Sequence, residues 1–286
     1  MKGVADMSNN VKTRLAVGCL AVNCLWTVLL FGFVTAKDRL PDDRFSWKGR
    51  QVVFFGDSIT DPVHVGCETN YWGFLAERMG FSAHVYGKDG WQMSGVGKQL
   101  LEARNDLGNN IDAIFIFMGT NDFNGNVPRG EWFLESVEYV NKDGEKTLLK
   151  KREPSYDMKT FRGRTNAALR DVKRAYPRAQ VILLTPLHRG YAAFGERNVQ
   201  PDERYGNRLD LFINDYVDDL KFAGALWSVP VIDLFGESGI LPNEKEHGIY
   251  MAHPDGTDSL HPSTAGHERI ARVIESRLSC MTPSFR

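Results

Sequence analysis

The chain has 286 residues, with 35 Lys+Arg against 36 Asp+Glu for a net charge of -1, and it is 42% hydrophobic and 25% charged. That is ordinary globular composition, enough for one large domain or two small ones. No surplus of positive charge is available to hold a phosphate backbone, which argues against a nucleic-acid partner.

The N-terminus is the compositional outlier. Lys2, Lys12 and Arg14 precede an uncharged run from Leu15 to Ala36, which ends in the small residues of Val34-Thr35-Ala36. Residues 1–36 therefore read either as a cleaved export signal or as a single membrane anchor, for which about 20 apolar residues suffice. The first places the protein in the periplasm or outside the cell; the second ties it to the membrane. Residues 37–50, with Pro41, Asp42, Asp43 and Trp47-Lys48-Gly49, read as a linker, and 51–286 as the body. Cys67 and Cys280 would remain in an exported chain, where a disulfide is chemically allowed; buried free thiols are the default.

Along the body, short apolar runs alternate with segments of helical periodicity. Residues 51–56 predict a first strand, entering Gly56-Asp57-Ser58. Tyr71, Phe74, Leu75 and Met79 recur at helical spacing before Gly80. Ser82 to Tyr86 predicts a second strand, leading into the glycine-rich turn 87–95 and a helix with Val96, Leu100, Leu101 and Leu107 on one side. The third strand, Ile111 to Met118, is apolar on both faces, as a central parallel strand should be. It ends in Gly119-Thr120-Asn121-Asp122, after which residues 123–157 break the rhythm and predict a small inserted hairpin. A helix over 158–176, with Phe161, Ala168, Val172 and Ala175 as its inner face, precedes strand four at Val181 to Leu184. A polar loop 186–206, a helix 208–227, strand five at Val231 to Leu234 and a loop 236–257 follow. The last helix opens at Pro262-Ser263, with Ile270, Val273, Ile274 and Leu278 inward. Five β-α repeats predict an α/β protein: a three-layer α/β/α sandwich, flavodoxin-like, with about five parallel strands.

Chemistry is concentrated in the turns after the strands, where open α/β sheets place their ligands. Ser58 follows strand one. Asp258-Ser259-Leu260-His261, near the other end of the chain, supplies a carboxylate and an imidazole three residues apart. A serine becomes a good nucleophile when an imidazole held by a carboxylate takes its proton. The N–H groups of Ser58 and Gly90 and the side-chain amide of Asn121 could hold the negative charge that develops on a carbonyl oxygen. Asp57, His64, Trp91, Asp122 and His188 are further candidates for the pocket. Asp57 also suits a turn that bonds local N–H groups, and Asn121 and Asp122 could be turn formers. His247 and His253 lack an Asp three residues earlier and read as surface loop residues; His267 reads as exposed or as a partner of Glu268. Trp72 and Trp132 suit a core, and Arg162 and Arg164 read as solvated helix charges. No Cys or His cluster has metal-ligand spacing.

At these residues the chain resembles the SGNH, or GDSL-type, hydrolase family. Gly56-Asp57-Ser58-Ile59-Thr60 matches its nucleophile block, Gly119-Thr120-Asn121-Asp122 its asparagine block, and Asp258-Ser259-Leu260-His261-Pro262 its Asp-x-x-His block, in family order. Asp89-Gly90-Trp91-Gln92-Met93-Ser94-Gly95 is a looser match to the glycine block, lacking the asparagine that often precedes it. The resemblance implies an α/β/α sandwich, no metal or other cofactor, and hydrolysis of carboxylic esters or thioesters through an acyl-enzyme. The expected activity is a serine esterase that deacetylates carbohydrate or releases small acyl groups from small-molecule or polysaccharide esters. Lipase, lysophospholipase or thioesterase activity, or a non-catalytic binding module, are the alternatives. A flavin-binding protein of like architecture is disfavoured, because Asp57 and Asp61 would repel a phosphate. Nothing in the sequence addresses oligomeric state.

Overall fold

A computed structural model describes residues 46–63, 65–253, 256–281, 283 and 285. The segment read as export signal or anchor, the linker up to residue 45, and His64 lie outside the described residues. In chain order the elements are β1 (Gln51–Gly56), α1 (Tyr71–Met79), β2 (Ser82–Val85), α2 (Val96–Leu107), β3 (Ala113–Phe117) and α3 (Thr120–Asn124). Then come β4 (Phe133–Lys142), β5 (Glu145–Pro154), α4 (Phe161–Ala175), β6 (Gln180–Leu184), β7 (Ala192–Ala193), β8 (Val199–Gln200) and α5 (Ile213–Trp227). The chain closes with β9 (Val231–Ile232), α6 (Leu234–Glu237), β10 (Met251–His253), β11 (Asp258–Pro262) and α7 (Thr264–Ser279).

The central sheet is parallel, in the order β2-β1-β3-β6-β9. Alternation along each strand sends side chains to both faces. Val53, Phe55, Ile114, Ile116 and Leu183 pack with α2, α4 and α5; Val52, Phe54, Phe115, Ile182 and Leu184 pack with α1 and α7. This is the expected three-layer sandwich. The strand order reverses between β1 and β3, so a crevice opens at their carboxyl ends. Ser58 and Asn121 follow those two strands.

The insertion is a longer ribbon than its pattern suggested, with ten-residue strands paired from Phe133↔Pro154 to Lys142↔Glu145. Asp143 and Gly144 make the two-residue turn, both at positive φ (55° and 86°), as a type I′ hairpin requires. Most of the ribbon is exposed.

Several local expectations are corrected. Leu101 points to solvent, and Gln99 and Ala103 take the inner face of α2, because the helix starts at Val96 and its phase follows from there. Residues 208–212 are not helical; Asp215 accepts from the Phe212 N–H and starts α5 only at Ile213. The loop 186–206 contains β7 and β8, and Asp258–His261 lies in a strand, β11; the four short strands form a second sheet, β10-β11-β7-β8. Trp47, inside the segment read as linker, is buried against Phe81 and Phe115. His267 is buried too: α7 packs on α1, its ring stacks on Tyr71, and its Nδ1 accepts the Tyr71 N–H. Cys67 and Cys280 are both free thiols, the first half-buried and the second exposed.

Candidate active site

The turn after β1 is built to hold one hydroxyl still. Buried Gln99 binds both polar groups of Gly56, accepting its N–H at 3.1 Å and donating to its carbonyl at 2.8 Å. The Asp57 carbonyl accepts from Thr60 and Asp61, and its carboxylate accepts from the Ile59 N–H at 3.1 Å. A side chain at Gly56 would meet the Thr60 hydroxyl at 2.1 Å, so the tight turn requires glycine. Ser58 is carried on the outside of this turn.

The partners arrive on β11. Its pairing with β7 joins Asp258 to Ala192, and with β10 it joins Asp258 to His253. The Asp258 carboxylate accepts the N–H groups of Leu260 and His261 through Oδ1, both at 3.0 Å, and faces His261 Nδ1 through Oδ2 at 2.8 Å. His261 Nε2 lies 2.8 Å from Ser58 Oγ. All three residues are buried, at 6% exposure or less. Burial opposes the charge on Asp258, but the bonds from His261 and the two backbone N–H groups outweigh it and hold the carboxyl below its ordinary pKa. A hydroxyl, an imidazole and an ionised carboxylate in series can remove the hydroxyl proton as oxygen attacks an electrophile.

Donors converge beside them. Gly90 stands at φ +70°, and a Cβ there would face open space. Among the described residues, the backbone N–H groups of Ser58 and Gly90 donate to no protein acceptor. Asn121 donates one amide hydrogen to the Trp91 carbonyl at 3.1 Å, which orients the second. A clamp fixes these two segments together. The Asp122 carboxylate accepts the Met93 N–H and a bond from Arg164 Nη1, which also reaches Gln92 Oε1; the Gln92 amide donates to the Asn121 carbonyl.

Ser58, Gly90, Asn121 and His261 line one cavity of about 390 Å³, with Phe194 and Leu260 among its apolar walls. Other candidates fall elsewhere. Asp57 is buried beneath the turn, and burial, with Asp122 and Asp89 nearby, pushes its carboxyl up to about 7. Asp122 is buried and held by Arg164; burial pushes it up to about 6 against that attraction. Trp91 contributes its carbonyl, while its ring packs against Gly95, whose absent Cβ makes the room. His188 is bound by Glu203 and stacked on Phe235. His247 accepts the Leu241 N–H, and His253 is exposed on β10. Trp72 donates to the Thr60 carbonyl, and Trp132 is buried against Phe222. Among the described residues no group of His, Cys, Asp and Glu could hold a metal ion.

Sequence reasoning missed the supporting groups. Arg164, a solvated charge by sequence alone, is mostly buried on Asp122; Arg162 pairs with buried Asp219. Gln99 and Gln92 sit where only the tertiary fold brings a backbone group to them, so spacing carries no trace of their role. The one available signal for Arg164 was its place in the first turn of α4, the end of that helix nearest the carboxyl edge of the sheet.

A family model described as GDSL-like Lipase/Acylhydrolase matches residues 54–269. No curated protein matches the chain. Solved structures are similar in fold. A protein from Lactobacillus plantarum is 21% identical, with TM-score 0.63, over 82% of this chain and 98% of that one. A possible lipase from Chitinophaga pinensis is 18% identical, with TM-score 0.60, over 80% and 98%. A variant of an acetyl xylan esterase from Geobacillus stearothermophilus is 19% identical over 82% and 96%, but at TM-score 0.47 the likeness is too loose to bear on the reading.

Proposed function

The chain belongs to the GDSL-like lipase/acylhydrolase family, and from that premise we propose that it is a serine esterase acting through an acyl-enzyme on small acyl groups, acetyl above all, carried by carbohydrate. The observation that carries the reading is the unbroken series Ser58 Oγ, His261, Asp258, with 2.8 Å at each link, opening on a cavity lined by amide donors.

In this reading Ser58 Oγ attacks the ester carbonyl as His261 Nε2 takes its proton. Asp258 holds the imidazole in the tautomer that leaves Nε2 basic, and it stabilises the imidazolium. The carbonyl oxygen becomes an oxyanion facing the N–H groups of Ser58 and Gly90 and the free amide hydrogen of Asn121; each donor contributes about 3 kcal/mol in the transition state. The ester C–O bond breaks, and His261 returns the proton to the alcohol oxygen. A water, deprotonated by the same imidazole, then releases the acid from Ser58. The amide side chains of Gln92, Asn121, Asn124, Asn198 and Gln200 around the cavity favour a polar alcohol over a long acyl chain. On that ground a lipase is the weaker alternative.

Hydrolysis of p-nitrophenyl acetate, butyrate and palmitate tests the reading. The acetate should be fastest, and Ser58→Ala should lower its kcat by at least about 10³-fold with an unchanged circular dichroism spectrum. Equal rates in parent and Ser58→Ala would remove the serine from the reaction, and a preference for palmitate would favour the lipase.

A further inference from the structure

Asn124, Asn198 and Gln200 line the catalytic cavity on one side and a second cavity, of about 420 Å³, on the other. The second cavity is also lined by Arg197, Arg208 and Tyr205, and no carboxylate is among its lining residues. Several arginines elsewhere are matched by carboxylates: Arg129 with Asp215 and Asp219, Arg164 with Asp122, Arg204 with Asp202. Among the described residues the guanidinium groups of Arg197 and Arg208 meet no carboxylate and no hydrogen-bond acceptor.

A third cation stands behind the shared wall. Arg189 is 1% exposed. Its Nη2 donates to Gln200 Oε1 at 2.7 Å, and its Cζ lies 5.0 Å from the ring centroid of Phe123, itself a lining residue. Its Nε and Nη1 have no partner among the described residues. Burial lowers its pKa to about 10, with Glu203 opposing, so it stays charged at neutral pH. Gln200 in turn donates to Asn198 Oδ1 at 3.0 Å, so the buried charge fixes two of the three wall residues.

Two arginines line this cavity, a third cation stands behind the wall it shares with the catalytic one, and no carboxylate is in the lining; that balance calls for an anion. Among the described residues the Asn124 side-chain amide and the Asn198 amide nitrogen in the wall make no hydrogen bond and can meet sugar hydroxyl groups, whereas the Asn207 amide is used up on Phe123, Tyr216 and its own loop and Asn126 Oδ1 accepts the Arg208 N–H. The Tyr205 ring, 60% exposed, offers a flat apolar face. We propose that this cavity is a subsite for an acidic sugar, the alcohol half of the ester, whose charge is held by Arg197 and Arg208. The proposal rests on the esterase reading for catalysis but not for binding. Guanidinium forks match carboxylate and phosphate oxygens alike, so either could be the anion.

Three substrates separate the cases: mono-acetylated glucose, glucuronic acid and glucose 6-phosphate. The parent should hydrolyse at least one of the anionic esters roughly tenfold more efficiently than the neutral one, as expected of two charge-assisted contacts; the faster of the two identifies the anion. The double variant Arg197→Gln/Arg208→Gln should erase that advantage through KM, while Arg174→Gln, exposed on α4, should keep it and so exclude a general effect of net charge. Equal efficiency on all three in the parent, or an advantage that survives in the double variant, would overturn the subsite. If no ester is hydrolysed at all, the esterase reading fails, and calorimetric titration of Ser58→Ala with glucuronate and with glucose 6-phosphate decides the subsite by itself. Binding that the two Arg substitutions abolish supports it; no binding, or binding indifferent to them, refutes it.

Discussion

Asn121 spends one amide hydrogen on the Trp91 carbonyl and leaves one for the cavity, so its value lies in a single oriented donor. Asn121→Ala should lower kcat on p-nitrophenyl acetate by about 10²–10³-fold with little change in KM, measured by steady-state kinetics; a loss confined to KM would mean that the amide binds substrate rather than the oxyanion. Asp57 is a different kind of residue. Its carboxyl is pushed up to about 7 in the folded chain, against 3.8 unfolded. The folded state therefore holds a proton that the unfolded state gives up, and stability falls as pH rises from about 4 through 7. Asp57→Asn keeps an acceptor for the Ile59 N–H and removes the charge. Urea midpoints at pH 5 and pH 8 should drop less between the two for the variant than for the parent. A parallel drop in both would place the titration elsewhere.

Elements differ in how far they can be read from residues alone. β1, β3 and β6 announce themselves because they are buried on both faces and so, after Gln51 and Gln180 at the starts of β1 and β6, carry no polar side chain. The segments carrying Ser58, Asn121 and His261 are legible for a related reason: each is a short run whose residue types suit one local geometry. The small sheet is not legible. β7 and β8 have two residues each, and their pairing depends on a partner, β11, remote in sequence. The clamp around Asp122 escapes for the same cause, since Arg164 comes from α4 and Met93 from the turn before α2. That clamp ties two cavity-forming segments together and invites a test. Arg164→Met leaves a carboxylate at 0% exposure without its cation, and should cost about 3–5 kcal/mol with a fall in kcat as the Gly90 turn loosens. Denaturation and kinetics together check it; lost stability at full kcat would show that the clamp serves the fold alone.

For the molecule as a whole, the hydroxyl and its imidazole sit 203 residues apart in sequence, so the site exists only when both ends of the domain are in place. The last helix matters beyond carrying the chain past His261. Ile270, Ile274 and Leu278 of α7 are buried against the face of the sheet that α1 also covers. Three such side chains contribute about 1.5–3 kcal/mol each, comparable with the ~5–15 kcal/mol that keeps a typical domain folded. A chain ending at Gly256 should therefore be unfolded as well as inactive, with dye-binding apolar surface and no cooperative thermal transition; a cooperative transition would show that the sheet stands without α7. The two-sheet plan also bears on redesign. The Ser58 turn hangs from the large parallel sheet, whereas Ala192 pairs on one side with Gln200 in the wall shared by both cavities and on the other with Asp258. Retuning selectivity through the 192–200 hairpin would therefore disturb the Asp258–His261 pair through the same ladder, so a library built there must be screened for turnover and preference together, while the mounting of Ser58 stays insulated.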